Sequence, residues 1–267
     1  MAGPKWEDLQ KDCLVNILTR VGTESLLYDI PFVCKSWYRA SLDPSCWKII
    51  NFQELPLADE YLKLIINRSQ GNATSVMLPT SCPDEVFRYL ADKCPALKAL
   101  YLPSVMGINR SFVLPEVISK WKNLELLKIG RPCIHNMERI LEEISLHCKN
   151  FCHLEIDNIP IIQAEEASAI VTFLPNIRYL HLRHGVIDQK SLKIILQGCK
   201  KLVHLDVRDS LLFECDDQLL ELASHIANFQ HVVSEPSCVD YNRYTQRILL
   251  SELISLQKRL CLRFYSN

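Results

Sequence analysis

Apolar positions recur along this chain in a fixed pattern. Five segments read apolar-x-x-apolar-x-apolar: Leu97, Leu100 and Leu102; Leu124, Leu127 and Ile129; Phe151, Leu154 and Ile156; Ile177, Leu180 and Leu182; Leu202, Leu205 and Val207. Their first positions lie 27, 27, 26 and 25 residues apart. Three residues before each start stands Cys94, Trp121, Cys148, Leu174 or Cys199, so a further buried position recurs. Two weaker copies precede them, at Trp47, Ile50 and Phe52 and at Ala73, Val76 and Leu78; a degraded one follows at Phe229 and Val232 and stops near Pro236. Each segment predicts a short strand whose alternate side chains face a core.

The stretches between have helical spacing. Pro83, Asp84 and Glu85 open one, followed by Val86, Phe87, Leu90 and Ala91; proline suits a first helical turn, and acids suit its dipole. Asp188 precedes Leu192, Ile195 and Leu196, and Gly198 stands where that helix should stop. Ile140, Leu141 and Ile144 mark a third. A unit of one strand and one helix cannot bury its own apolar face, so the expected fold is α/β: a solenoid with a parallel sheet on one side, helices on the other and a continuous core between.

The period and the L-x-x-L-x-L form resemble the leucine-rich repeat family, and the cysteine before the strand resembles its cysteine-containing subclass. Three residues after the last strand apolar, that family usually carries Asn or Cys, whose side chain satisfies the turn backbone. Val105, Pro132, Ile159, Gly185 and Ser210 stand there instead. The expectation is a missing polar ladder and irregular, shallowly curved stacking.

Residues 1–50 have a different texture. Three of the four tryptophans, Trp6, Trp37 and Trp47, fall there. Leu9, Leu14, Ile17, Leu18 and Val21 make one helical stripe, then Leu26, Leu27 and Ile30, before Pro31 interrupts. Three short helices are predicted, with Ile17 among the buried residues. The order Trp6, Leu9, Asp12, Leu14, Ile17-Leu18, Val33-Cys34-Lys35-x-Trp37 and Trp47 resembles the F-box, with Gln10 in place of the usual proline after the first leucine. That resemblance implies docking rather than catalysis. F-box helices bind a Skp-type adaptor and through it a cullin, while the repeats hold a protein substrate for ubiquitination by other subunits. The adaptor-binding positions carried over are Leu9, Leu14, Ile17, Leu18, Pro31, Val33 and Trp37, some of which must serve the core instead. The alternative is a non-ligase interaction scaffold whose N-terminal helices only cap the first repeat.

Composition narrows the chemistry. Thirty Lys and Arg against 31 Asp and Glu give a formal charge of −1, which argues against an electrostatic nucleic-acid or anionic-membrane binder. The seven glycines are too scattered for a dinucleotide turn or a phosphate loop. Twelve cysteines without a CxxC pair read as buried thiols of a reducing compartment, and Lys5, Glu7, Asp8, Lys11 and Asp12 interrupt any signal-peptide apolar run, so cytoplasm or nucleus is expected. His153, Glu155, His181 and Asp206, or Cys148 with Cys152, are rich in metal-ligand types but lack the tight paired spacing of zinc sites. No metal, cofactor or catalytic residue is expected.

Strand alternation assigns the substrate face. Tyr101, Lys128, Glu155, His181 and Asp206 form one predicted row, Asp157, Arg183 and Arg208 another, and His153, Tyr179 and His204 also point outward. The expected domains are the F-box at 1–50, the repeats at 51–235 and a C-terminal helical cap at 236–267, where Ile248, Leu249, Leu253, Ile254 and Leu256 have helical spacing.

Overall fold

One strand followed by one helix is the repeating element throughout the computed structural model, which describes residues 9–53, 55, 59–80, 82–102, 110–130, 137–158, 161–210 and 212–231. Trp6, Val105, Pro132, Ile159, Val232 and the expected C-terminal cap lie outside these residues. Four α-helices come first: α1 (Lys11–Leu18), α2 (Thr23–Tyr28), α3 (Ile30–Val33) and α4 (Lys35–Ser41), then a 3-10 turn at Pro44–Trp47. The repeats follow as β1 (Ile49–Asn51), α5 (Asp59–Arg68), β2 (Ser75–Met77), α6 (Asp84–Lys93), β3 (Ala99–Leu102), α7 (Arg110–Ile118), β4 (Leu126–Gly130), α8 (Met137–His147) and β5 (His153–Asp157). The last described ones are α9 (Ala164–Phe173), β6 (Tyr179–Arg183), α10 (Gln189–Gly198), β7 (His204–Asp206), α11 (Asp217–Ala223) and β8 (Asn228–Gln230). Contacts divide the chain into two compact units, Met1–Glu155 and Ile156–Asn267, with the division inside β5.

In the first unit β1, β2, β3 and β4 pair in parallel and in sequence order, with Ile49, Ser75, Ala99 and Leu126 in register. Two successive N–H groups at each strand start donate to one carbonyl of the preceding repeat: Thr74 and Ser75 to Lys48, Lys98 and Ala99 to Thr74, Glu125 and Leu126 to Lys98, Cys152 and His153 to Glu125. The predicted apolar triads point inward and are buried, including the two weaker ones at Trp47 and Ala73. Cys94, Trp121 and Cys148 are buried at the recurring position before them, and the Cys148 thiol donates to the Trp121 carbonyl at 3.4 Å. Helix ends obey the dipole: Asp59 and Glu60 open α5 and Arg68 closes it, and Asp84 and Glu85 open α6 with Pro83 at its N-cap.

The N-terminal helices belong to this unit and are joined to its first repeat through Trp47 and Thr23. Trp47 is fully buried; its Nε1 donates to the Ser41 carbonyl at 2.8 Å, and the Arg68 guanidinium of α5 lies over its ring at 5.0 Å. The N–H of Asn51 in β1 donates to Oγ1 of the buried Thr23 at 2.8 Å. Trp47 is thus both the end of the helical module and the first apolar position of the repeat ladder. Two expectations change here. The module holds four short α-helices rather than the three expected, because Cys34 is fully extended between α3 and α4 (φ −165°, ψ 173°). Ile17 is 40% exposed, since α1 buries Leu14 and Leu18, four apart, and Ile17 lies off their line.

In the second unit β6, β7 and β8 pair in parallel with Tyr179, His204 and Asn228 in register. The backbone turns after the strands through a left-handed residue: Asn158, His184 and Asp209, with φ of 58°, 53° and 58°. Asn, Asp and His tolerate that region better than other non-glycine residues. The expected absence of a polar ladder is partly corrected, because Ser210 supplies one rung. Its buried hydroxyl donates to the Leu182 carbonyl at 2.7 Å and accepts from the Gly185 N–H at 3.4 Å. Asp188 caps α10 through the Ser191 N–H at 2.6 Å, Asp216 caps α11 through Leu219, and Gln163 and Glu166 form a capping box on α9. Gly198 ends α10 as predicted, and tertiary packing also requires it: a Cβ there would stand 2.2 Å from Cγ1 of Val171 in α9.

Gly198→Ala therefore overpacks the α9–α10 contact and lowers stability by about 1–3 kcal/mol; Val171→Ala in the same chain restores part of the loss, as urea unfolding will report. Thr23→Val keeps shape but orphans the Asn51 N–H, at a cost of about 1–3 kcal/mol, and speeds hydrogen exchange at Asn51 more than in β3.

Candidate protein-interaction surfaces

The helical module keeps three of its leucines and Ile30 inside and leaves other apolar side chains outside. Leu14, Leu18, Leu26 and Ile30 form its core, packed with Ala40 and Cys46. Leu14 and Leu18 are 1% exposed, so these two predicted adaptor positions are corrected to core: a buried leucine has no surface to offer a partner. Leu9, Pro31 and Trp37 are half-buried, and Ile17 and Val33 are exposed. Tyr28, Phe32, Tyr38 and Leu42 are also exposed, and Phe32 reaches 80%. Sequence reasoning misses Phe32 because Pro31 reads as an interruption; instead it sits in the first turn of α3, which turns Phe32 and Val33 outward while Ile30 faces in. These exposed apolar side chains make the module a candidate contact surface.

On the first unit's sheet, the outward residues make two rows. Ile49, Ser75, Ala99 and Leu126 are small or apolar; Asn51, Met77, Tyr101 and Lys128 follow beside them. The predicted residues Tyr101, Lys128, His153 and Glu155 are all half-buried. Glu155 meets Lys128 at 3.0 Å and His153 at 2.9 Å. Burial, and then the Glu155 charge, push the Tyr101 phenol up against the pull of Lys128. The outward residues of β1 and β2 are not foreseen from the sequence, since those strands lack the leucine signature.

On the second unit's sheet, Asp157, Tyr179, His181, Arg183, His204 and Arg208 are half-buried and outward, as alternation requires. His181 and His204 share a ring contact with centroids 4.8 Å apart. Asp206 departs from expectation, being 2% exposed although its strand position is outward. Arg208 covers it, with Nε at 2.9 Å from Oδ1, a terminal nitrogen at 2.8 Å from Oδ2, and its backbone N–H at 3.1 Å from Oδ1. Arg183 Nε approaches Oδ2 at 3.6 Å. Burial raises the Asp206 pKa, but the Arg208 hydrogen bonds and the charges of Arg208 and Arg183 outweigh it, so the carboxyl sits below its ordinary 3.8. This bidentate pair fixes the Arg208 side chain on the outward face.

The thiols at the recurring buried position have no such role. Burial pushes Cys94 and Cys199 up to about 11 and Cys148 to about 12, where a nucleophilic thiolate does not form at neutral pH. No helix among the described residues is long and apolar enough to cross a membrane.

No family model matches the chain. Among curated proteins it is similar to an F-box/LRR-repeat protein of Arabidopsis thaliana, 28% identical over 88% of this chain and 86% of that one. The F-box protein FBW2 of the same plant is 26% identical over 88% and 81%, and the F-box protein SKIP1 is 25% identical over 77% and 79%. Of solved structures, an internalin C2 from Listeria monocytogenes aligns over 74% of this chain and 77% of that one, with 15% identity and a TM-score of 0.41.

Asp206→Asn removes the charge that Arg208 and Arg183 share and lowers stability at pH 7 by about 1–3 kcal/mol. Because the folded carboxyl titrates below the unfolded one, its contribution is full above pH ~4 and is lost as pH falls through the lowered value. The gap between wild type and variant in urea unfolding thus narrows as pH drops from 7 to 3.

Proposed function

We propose, from this chain's kinship with the F-box/LRR-repeat proteins, that it is a substrate receptor of a Skp–cullin–F-box ubiquitin ligase. The observation that carries the reading is the outward pair Phe32 and Val33, 80% and 56% exposed on a helix whose Ile30 is buried. Neighbouring exposed apolar side chains on a small module suit cover by a partner. The docking surface therefore comprises Ile17, Pro31, Val33 and Trp37 together with Phe32, and the partner is a Skp-type adaptor that joins the chain to a cullin.

The substrate is a second protein, held on the outward sheet faces through Tyr101 and Lys128 in the first unit and Tyr179, His181, Arg183, His204 and Arg208 in the second. Tyr and Arg are the usual anchors of protein interfaces. On this reading the chain performs no bond chemistry. It raises the effective concentration of a substrate lysine near the ubiquitin-loaded subunit, and the rate gain comes from proximity. The seam at Trp47, Thr23 and Arg68 suits that task, since it ties the docking helices to the first repeats.

Co-expression of the full chain with a plant Skp-type adaptor tests this. The wild-type chain should co-purify with the adaptor, and Phe32→Asp with Val33→Asp should abolish the association while leaving the melting temperature within a few degrees. Association unaffected by both substitutions, or none with the wild type, would sink the reading.

A further inference from the structure

Many cations of the repeats are answered by an acid of the neighbouring repeat. Lys63 meets Glu85, Arg88 meets Glu116 and Lys120 meets Asp92 on the helical side, and Lys98 meets Glu125 at 2.8 Å. The two arginines at the ends of β6 are treated differently. Arg178, just ahead of the strand, is exposed and forms no ion pair among the described residues; its guanidinium carbon lies 5.8 Å from the centroid of the outward Tyr179 ring. Arg183 closes the strand, and its Nε approaches Asp206 at 3.6 Å. That Nε is buried and donates no hydrogen bond among the described residues.

The reason lies in Asp206, whose carboxylate is committed to three hydrogen bonds from Arg208. A guanidinium carries five donors in a planar fork, and a half-buried one without an acceptor lacks the bonds that a carboxylate would give it. Asp206 is 2% exposed, whereas the side chains of Arg183 and Arg208 are 34% and 39% exposed, so a partner meets the cations and not the anion between them. The other acids on this side are Asp157, half-buried in β5, and Asp209 beyond β7, which lies 3.7 Å from His184.

Spacing narrows what a partner brings. Arg178 is held at Tyr179 and Arg183 at Asp206, whose register partner is His181. Those anchor points are two residues apart on β6, roughly 7 Å at about 3.3 Å per residue. One carboxylate or phosphate hydrogen-bonds over a shorter span, whereas alternate side chains of an extended segment repeat at that interval.

We propose that the outward face of the second unit binds an acidic segment of the partner protein in extended form, with alternate carboxylates on Arg178 and on Arg183 beside Arg208. The proposal rests on the reading of that face as the substrate surface. It names the class of substrate and adds Arg178 to the binding residues.

Fluorescence anisotropy of the full-length chain at low salt tests it, with a labelled peptide of alternating Glu and Ser, the same peptide with Gln for Glu, and a Gln-Ser peptide carrying one phosphoserine. The Glu peptide should bind and the Gln peptide should not. Arg183→Gln and Arg178→Gln should each weaken binding about fivefold or more, and the pair should abolish it, with melting temperatures within a few degrees of wild type. Arg20→Gln, an exposed charge removed from the helical module, should change nothing. A Glu peptide that fails to bind, or binds the paired variant as well as the wild type, overturns the proposal. So does tighter binding of the phosphoserine peptide that Arg183→Gln alone removes, which assigns the site to a single dianion. The same variants co-expressed with the Skp-type adaptor keep the two readings apart. Adaptor association without peptide binding overturns the acidic-segment assignment alone, and peptide binding without adaptor association overturns the ligase reading alone.

Discussion

The indole of Trp47 is the contact on which the first unit depends. Its ring is fully buried, its N–H is satisfied by the Ser41 carbonyl, and a guanidinium from the first repeat helix lies over its face. A large aromatic with both its apolar area and its polar tip accommodated is among the strongest single anchors a small core can have. Here it serves two structures at once. The helical module ends on it, and the repeat ladder begins on it, two residues before β1. The hydrogen bond between Thr23 and the edge of β1 then closes the strand side that no preceding repeat pairs. Without that closure, an exposed edge would be open to pairing with other chains.

From that first rung the repeats propagate by one rule. At the starts of β2, β3, β4, β5 and β7 two N–H groups are directed at one carbonyl of the repeat before, and the apolar triads are buried. Burial of these rungs leaves little room for polar groups, which is why three thiols, one tryptophan and one leucine occupy the recurring position ahead of the strands. The raised pKa values of those thiols are the electrostatic mark of that burial, and they separate structural cysteines from reactive ones.

Polar groups are handled locally where the repeat leaves them short of partners. Ser210 bridges two turns, Asp188 and Asp216 cap helices, and Asp206 is buried only because Arg208 wraps it with three bonds. A buried carboxylate is tolerable when its charge and lone pairs are both answered. On the second unit's sheet Arg208 is therefore held against Asp206, with Arg183 beside the same carboxylate. The first unit's sheet, by contrast, offers small and apolar side chains in one row beside Met77 and Tyr101 in the next. The two faces are chemically distinct.

Legibility in the sequence followed periodicity. The triads from Trp47 to Val207, the buried position ahead of the later strands, and the starts of α6 and α10 could all be read. A stacked core demands apolar side chains at a constant period, and helix caps are local in sequence. Which of the helical module's apolar residues face inward could not be read: Leu14, Ile17 and Leu18 look alike along the chain, and only the crossing of α1 with α4 separates two core leucines from an exposed isoleucine. Phe32 was hidden behind a proline that opens a helix as readily as it ends one. Asp206 looked solvent-facing because strand alternation gives direction, not cover, and cover came from an arginine two residues on. Gly198 was legible as a helix end, while its need to admit Val171 was not. Spacing along the chain determined the repeat, the resemblance and the outward rows. Burial and pairing were decided by tertiary packing, since each depends on a neighbour that is distant in sequence.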